Sequence, residues 1–401
     1  MEFLRGGGSR RRGHGRERPS PDFLLASIYS IAHLIYFSTL GGLVSPLVDR
    51  VALAVVALAV ATAIGMAIAR RHYLAAFSAI AVLALIALQV LVFAHHLGTQ
   101  PNWNVALPYV PMAGFILFVN ARHELGGLLR LLVGLAIVYC AIYAVFADMF
   151  ASLGQTAGLH MLSDESRGER LVLANGYASL ALFAALVRLR FDLRDWRWLA
   201  VLAIVVLALV QAQSRVYALL AVGTAALYLL DLLRPPIRLV IGAVFAAVIM
   251  AILFGAAILD WNPFALVDWD SSGAARAMSY AALQPLLSAH PLTGLGLPSG
   301  PDGLGALVGR SYVFWEDLGA FGVWTAFGAL GAAIFVALAL GLVVGPLPDG
   351  SFEEEALGLA LFTAALFAVV SPSLLSGSAS ILANFIPALY FVRPWHLRVQ
   401  Q

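Results

Sequence analysis

No lysine occurs anywhere in the 401 residues, so all 24 basic residues are arginine. A GC-rich genome produces such a bias, and the guanidinium also matches phosphate geometry. Charge of either sign is scarce: 11% of residues are charged and 61% are hydrophobic, with a mean hydropathy of +0.90. Soluble domains carry about 25% charged residues, so this composition excludes a polar surface wrapped around one core and makes lipid the solvent. The single cysteine, Cys140, lies inside an apolar run. That excludes an internal disulfide framework and a cysteine-based metal site, and speaks against redox chemistry.

What is present is a succession of apolar runs. A helix needs about 20 mostly apolar residues to cross the hydrocarbon core. Runs of roughly that length fall at 23–44, 51–69, 73–95, 105–120, 128–150, 171–189, 198–212, 216–233, 239–259, 320–344, 356–373 and 380–392. The expected fold is all-α, a polytopic transmembrane helix bundle of about 12 spans, with the run at 105–120 shortened by Pro108 and Pro111. Residues 1–20 are rich in Arg and Gly without an apolar stretch, and read as a disordered basic cytoplasmic tail, not a signal peptide. Residues 21–259 would hold helices 1–9, residues 260–319 one large outer loop, and residues 320–401 helices 10–12 with a short cytoplasmic tail.

Loops retained in the cytoplasm carry an excess of basic residues. With the N-terminus inside and an even number of spans, eighteen arginines fall on the cytoplasmic side and six outside: Arg50, Arg167, Arg170, Arg215, Arg276 and Arg310. The acidic segment 345–355 goes against the trend, but acidic residues weigh little in this rule. Both termini are then cytoplasmic, and the segment from Asp260 to about Gly319 lies outside. Long loops in compact proteins are usually binding or catalytic elements. The stretch Ala274 to Leu287 is apolar and helix-length, so this one is expected to be folded. The shorter outer loop from Ser152 to Arg170, with His160, Asp164, Glu165, Arg167, Glu169 and Arg170, is placed to close over the same cavity.

Two readings stand for each candidate residue. Arg215, in the tight turn Gln211-Ala212-Gln213-Ser214-Arg215, either snorkels to headgroup phosphates or binds a ligand at a depth where charge is costly. Arg276 lies on a predicted amphipathic helix, as part of a solvated face or as a ligand contact. The glycines from Gly294 to Gly309 either permit close backbone approach to a ligand or make the loop flexible. Trp261, Trp269, Tyr280, Tyr312, Phe314 and Trp315 either stack on sugars or mark a membrane interface. Glu316 and Asp317 suit a helix N-terminus and equally a general base. No histidines or carboxylates cluster at metal-ligand spacing on the outer side, so neither a metal nor a cofactor is expected.

Three segments, taken together, resemble the O-antigen ligases and O-antigen polymerases of bacterial surface-polysaccharide assembly. Ser214-Arg215-Val216-Tyr217-Ala218 is similar to the family's Ser-Arg pair opening a membrane helix. Arg276, followed by Ala281-Ala282-Leu283 and His290-Pro291-Leu292-Thr293-Gly294-Leu295-Gly296-Leu297, resembles its arginine helix and Pro-x-x-Gly-x-Gly turn. Glu316-Asp317-Leu318-Gly319-Ala320-Phe321-Gly322 resembles its acidic-x-Gly-x-x-Gly approach to the span after the large loop. Arg170-Leu171 with Asn175-Gly176 is a fainter match, and the whole spans roughly residues 165–345.

The resemblance implies an inner-membrane glycosyltransferase that moves a glycan from a polyprenyl diphosphate carrier to a sugar hydroxyl, without metal. Its partners would be the polyprenyl-diphosphate-linked oligosaccharide, membrane lipid and other polysaccharide-assembly proteins, with no nucleic acid. On that reading Arg215 and Arg276 are the expected catalytic clamps, Glu316 and Asp317, by their own placement, the expected base candidates, and Arg170, Ser214, Tyr217, Tyr280, Gly294, Gly296, Arg310 and Tyr312 the expected substrate contacts. Arginines suit the task, since a diphosphate leaving group accumulates charge and each guanidinium offers bidentate hydrogen bonds. Ligases carry a histidine about a dozen residues before the Gly-x-x-Gly segment, where this chain has Gly309-Arg310-Ser311-Tyr312. That absence favours a polymerase over a ligase, and His290 reads as a turn residue. A transporter or flippase is the rival from another class. Transporters show internal repeats and ionisable groups near the midplane, whereas here no repeat is evident and Asp148 and Asp231 fall near helix ends.

Overall fold

The computed structural model describes residues 19–38, 40–157, 162–164, 168–170, 173–212, 214–259, 261–267, 271–298, 303–309, 313, 315–348, 350–375 and 377–391. The expected basic tail, apart from Pro19 and Ser20, lies outside the described residues, as do Arg310 and Tyr312.

Helix falls on every apolar run. In order come α1 (Pro21–Phe37), α2 (Leu40–Val44), α3 (Pro46–Ala69), α4 (Tyr73–Leu97), a 3-10 segment Trp103–Ala113, α5 (Phe115–Asn120), a 3-10 turn Arg122–Glu124 and α6 (Leu125–Ala157). A hairpin of β1 (Leu162–Asp164) and β2 (Gly168–Arg170) follows, pairing Leu162 opposite Arg170. Next come α7 (Asn175–Phe191), α8 (Trp196–Ala212), α9 (Arg215–Leu229), α10 (Pro235–Leu259), a 3-10 segment Pro263–Val267, α11 (Ser271–Ala289), α12 (Gly305–Val308) and a 3-10 turn Trp315–Asp317. The chain closes with α13 (Gly319–Val344), α14 (Phe352–Phe367), α15 (Ser380–Ala383) and a π-turn Pro387–Phe391.

Among the described residues, six helical segments are long and apolar enough to cross a membrane: Pro46–Ala69, Tyr73–Leu97, Trp103–Asn120, Arg122–Ala147, Pro235–Gly255 and Gly319–Val344. Shorter apolar helices are Pro21–Phe37, Trp196–Ala212, Arg215–Leu229 and Ser380–Leu389. Only such self-satisfied backbone is tolerated in hydrocarbon.

Local chemistry sets the helix ends. Ser20 caps α1 by accepting from Phe23 N, and Ser45 caps α3 ahead of Pro46. Ser351 caps α14, whose first turn carries Glu353, Glu354 and Glu355, matching the positive end of the helix dipole. Gly98, left-handed at φ 66°, stops α4.

Four of the expected runs are interrupted, one of them, 105–120, where its prolines lead one to expect it. The run at 23–44 divides into α1 and α2, and that at 380–392 into a four-residue helix and the π-turn. Pro108 and Pro111, which cannot donate within an α-helix, hold 103–113 in 3-10 form. The fourth break is in α13 at Gly328, φ 70°. There the Pro291–Leu297 turn enters the helix: Ala329 N donates to Pro291 O and Leu292 O, each at 3.2 Å, and Leu295 N donates to Thr325 O at 2.6 Å. Leu297 N reaches Gln89 O of α4 at 3.0 Å, so the turn is clamped between α4 and α13.

Packing depends on small residues and buried polar links, because lipid removes most of the hydrophobic drive between helices. Along α7, Ala178, Ser179, Ala181, Ala184 and Ala185 are buried, and α7 packs on α14, whose Ala356, Ala360 and Ala364 are buried too, while Gly176 admits the Ser378–Ala379 backbone and Gly358 the Pro348 ring. In the core His33 Nδ1 lies 3.0 Å from the Tyr177 hydroxyl, and Nε2 lies 3.0 Å from Ser380 Oγ. Ser380 Oγ donates to Gly377 O at 2.7 Å and the Tyr177 hydroxyl lies 3.4 Å from Ser30 O, so the imidazole joins α1 to α7 and α15 through one buried polar chain.

Contacts assign the helix termini to two opposite ends of the bundle. At one end Arg188 stands over the Phe352 ring at 4.0 Å, Arg190 lies 3.8 Å from Asp231, and Arg70 meets Asp22 at 2.5 Å. The buried Arg238 donates to Val343 O at 3.0 Å and Leu342 O at 3.1 Å, satisfying the last carbonyls of α13. The acidic start of α14 therefore sits among arginines. The starts of α3, α9 and α13 lie at the other end.

Candidate functional site

Glu316 and Asp317 occupy the 3-10 turn that delivers the chain into α13. Gly319 allows that delivery: at φ 53°, its Cα passes so close to the Ala368 and Val369 carbonyls that no side chain fits. Trp315 is buried just ahead, which turns the two acidic side chains outward from the packed face.

Arg276 comes from α11. Its Nε donates to the Asp317 carbonyl oxygen at 3.2 Å, and its charge acts on the Asp317 carboxylate. Asn262 fixes the base of α11 by donating to Ala277 O at 2.9 Å. On the far side of Glu316, the Tyr109 hydroxyl donates to Glu316 Oε1 at 3.4 Å. Tyr36, at the end of α1, lies in the field of both Glu316 and Asp49.

Both carboxylates are exposed to water by area, yet protein atoms are dense around them. That surrounding weakens their hydration, so burial raises the Glu316 carboxyl above its ordinary value. The Asp317 charge adds to the rise, and the Tyr109 hydrogen bond opposes it. Burial likewise raises Asp317, against the pull of Arg276. The outcome is a pair of carboxylates with strengthened proton affinity, between a guanidinium and a phenol.

Arg215 opens α9, exposed and without a partner among the described residues; Ser214 precedes it as an N-cap whose side chain makes no cap bond. No described contact joins Arg215 to Arg276. A short chain of packing links them instead. Tyr217 meets the Phe367 ring edge-on at 5.1 Å, the Val369 carbonyl abuts Gly319, and Asp317 precedes it beside Arg276. The two arginines thus belong to the end of the bundle where α13 begins and α14 finishes.

Several expected substrate contacts have other work. Tyr217 is 1% exposed and donates to Asn175 O at 2.9 Å, while Tyr280, also 1% exposed, donates to Ile252 O at 3.0 Å. The Tyr280 ring packs between Phe264 and Phe321, so neither phenol is presented to a ligand. Gly294 and Gly296 are buried against the backbones of α13 and α4, so their close approach serves the clamped turn and not a sugar. Arg170 falls in β2, with its side chain outside the described residues, where Arg310 and Tyr312 also lie. Asp231 is paired with Arg234 and Arg190 at the arginine-rich end.

Sequence reading missed Tyr109 and Tyr36. The signal present in the sequence was Tyr109 held between Pro108 and Pro111, an aromatic hydroxyl on a segment that cannot be regular helix. No family model matches the chain, and no curated protein matches it.

Proposed function

We propose that this chain is a membrane glycosyltransferase that joins polyprenyl-diphosphate-linked oligosaccharide repeat units at the outer face of the bacterial inner membrane, as the resemblance to O-antigen polymerases implies. The observation that carries the reading is the Arg276–Asp317–Glu316 constellation at the start of a candidate membrane span. A cation for a leaving group and a carboxylate with raised proton affinity are the two parts that glycosyl transfer to a hydroxyl needs.

In the reaction the acceptor hydroxyl oxygen attacks the anomeric carbon of the donor sugar. The bond from that carbon to the diphosphate oxygen breaks, and its electron pair leaves with the diphosphate. The hydroxyl proton passes to Glu316. Arg276 stabilises the charge growing on the diphosphate, its position fixed by the Asp317 carbonyl. Arg215, unpartnered among the described residues at the same end, is the second cation.

The test is the lipid-linked material that accumulates when the gene is deleted and the Arg276→Ala protein is supplied at normal levels. Single lipid-linked repeat units are the expected result. Finished lipid-linked chains would mean a ligase, and unchanged polymer with no intermediate would remove the catalytic reading.

A further inference from the structure

The side of Glu316 away from Arg276 is also built. Oε1 is engaged by Tyr109 while Oε2 has no partner among the described residues. The phenol is mounted rigidly. Pro108 and Pro111 fix the backbone around it, and Asn384 Nδ2 donates to Pro111 O at 3.0 Å from behind. Its ring, 7% exposed, lies 6.2 Å from that of Trp315 and edge-on to Phe327 at 5.9 Å. Trp315 is the residue before Glu316, so the same packing sets both partners of the hydrogen bond. A 3.4 Å separation is long for O–H···O, as catalytic hydrogen bonds often are before substrate arrives.

We propose that Tyr109 is the positioning residue for Glu316: it holds one carboxylate oxygen and so aims the other at an acceptor sugar hydroxyl. This rests on the glycosyl-transfer reading. The groups that face Glu316 are Asp317 on its own turn, Tyr109, and Tyr36 from α1, itself beside Asp49, while Arg276 from α11 reaches Asp317. A phenol donating to a carboxylate favours the ionised form. Its loss makes the base harder to ionise without altering the arginine side.

The experiment uses the full chain in native membrane vesicles, with polymer formation from endogenous lipid-linked donor followed against pH. Tyr109→Phe keeps the ring packing and removes only the hydroxyl. It should be about tenfold slower on the acid limb, where the carboxylate titrates, and within about threefold of wild type on the alkaline plateau. An acid limb that stays where wild type has it at normal protein level, whatever the height of the plateau, overturns the proposal. Thermal unfolding of the purified protein against pH supplies a second readout. Tyr109→Phe should alter its pH dependence in wild type and not on a Glu316→Gln background; an equal effect on both backgrounds also overturns the proposal. If Glu316→Gln and Arg276→Ala leave polymer unchanged, the glycosyl-transfer reading fails, while the unfolding comparison still decides whether Tyr109 and Glu316 are coupled.

Discussion

The Nε of Arg276 donates to the backbone carbonyl of Asp317 at 3.2 Å, and among the described residues the two terminal nitrogens of the guanidinium have no hydrogen-bond partner. The backbone contact holds the group in place. Among the described residues nothing occupies the face suited to bidentate phosphate binding.

Arg276→Ala should therefore lower polymer formation by about 10²-fold, the scale of losing one preorganised charge donor. Arg276→Lys should not restore it, because a point charge cannot hold the carbonyl and grip a diphosphate together. Polymer ladders on gels at matched protein level check both. Arg215→Ala should also impair activity while leaving thermal unfolding unchanged, since no partner among the described residues is lost.

Glu316 predicts a pH-dependent stability difference. Its folded carboxyl is raised above the ordinary value of 4.5, so the stability it contributes is complete below that value and is lost as pH rises through the raised one. Glu316→Gln cannot ionise. It should unfold at a higher temperature than wild type at neutral pH and lose that advantage in acid, as measured by thermal scans in detergent. A variant less stable than wild type at neutral pH would contradict the direction.

Gly294→Ala tests the clamped turn. At φ 70° a Cβ would lie 2.6 Å from Thr325 O and 2.7 Å from Gly328 N, both backbone atoms that cannot swing aside. Backbone strain of this kind costs about 1–3 kcal/mol. The expected outcome is a lower unfolding temperature and poorer membrane yield, with Gly65→Ala, where the Cβ meets nothing within 4 Å, as the neutral control.

Tyr177→Phe should leave His33 Nδ1 buried without its partner, at a cost of about 1–3 kcal/mol. Ser78→Ala, which removes an exposed hydroxyl bonded to its own helix, should stay within about 0.5 kcal/mol. Thermal unfolding of the two variants side by side gives the comparison.

The sequence by itself determined where helix lies. Hydrocarbon admits only backbone that satisfies its own hydrogen bonds, so helix follows the long apolar runs, and α3, α4 and α10 fall unbroken where the runs predict. The nearness of Arg276 to the acidic turn was legible only as order along the chain, since either helix face was open to the guanidinium. Tertiary structure decided what touches what. Tyr109 meets Glu316 across 207 residues. Tyr217 and Tyr280 turn inward to backbone carbonyls, and α13 breaks at Gly328 because a turn from another segment takes over its hydrogen bonds. Hydropathy is a property of a residue and its near neighbours, whereas the face a side chain presents is settled by which helices pack around it.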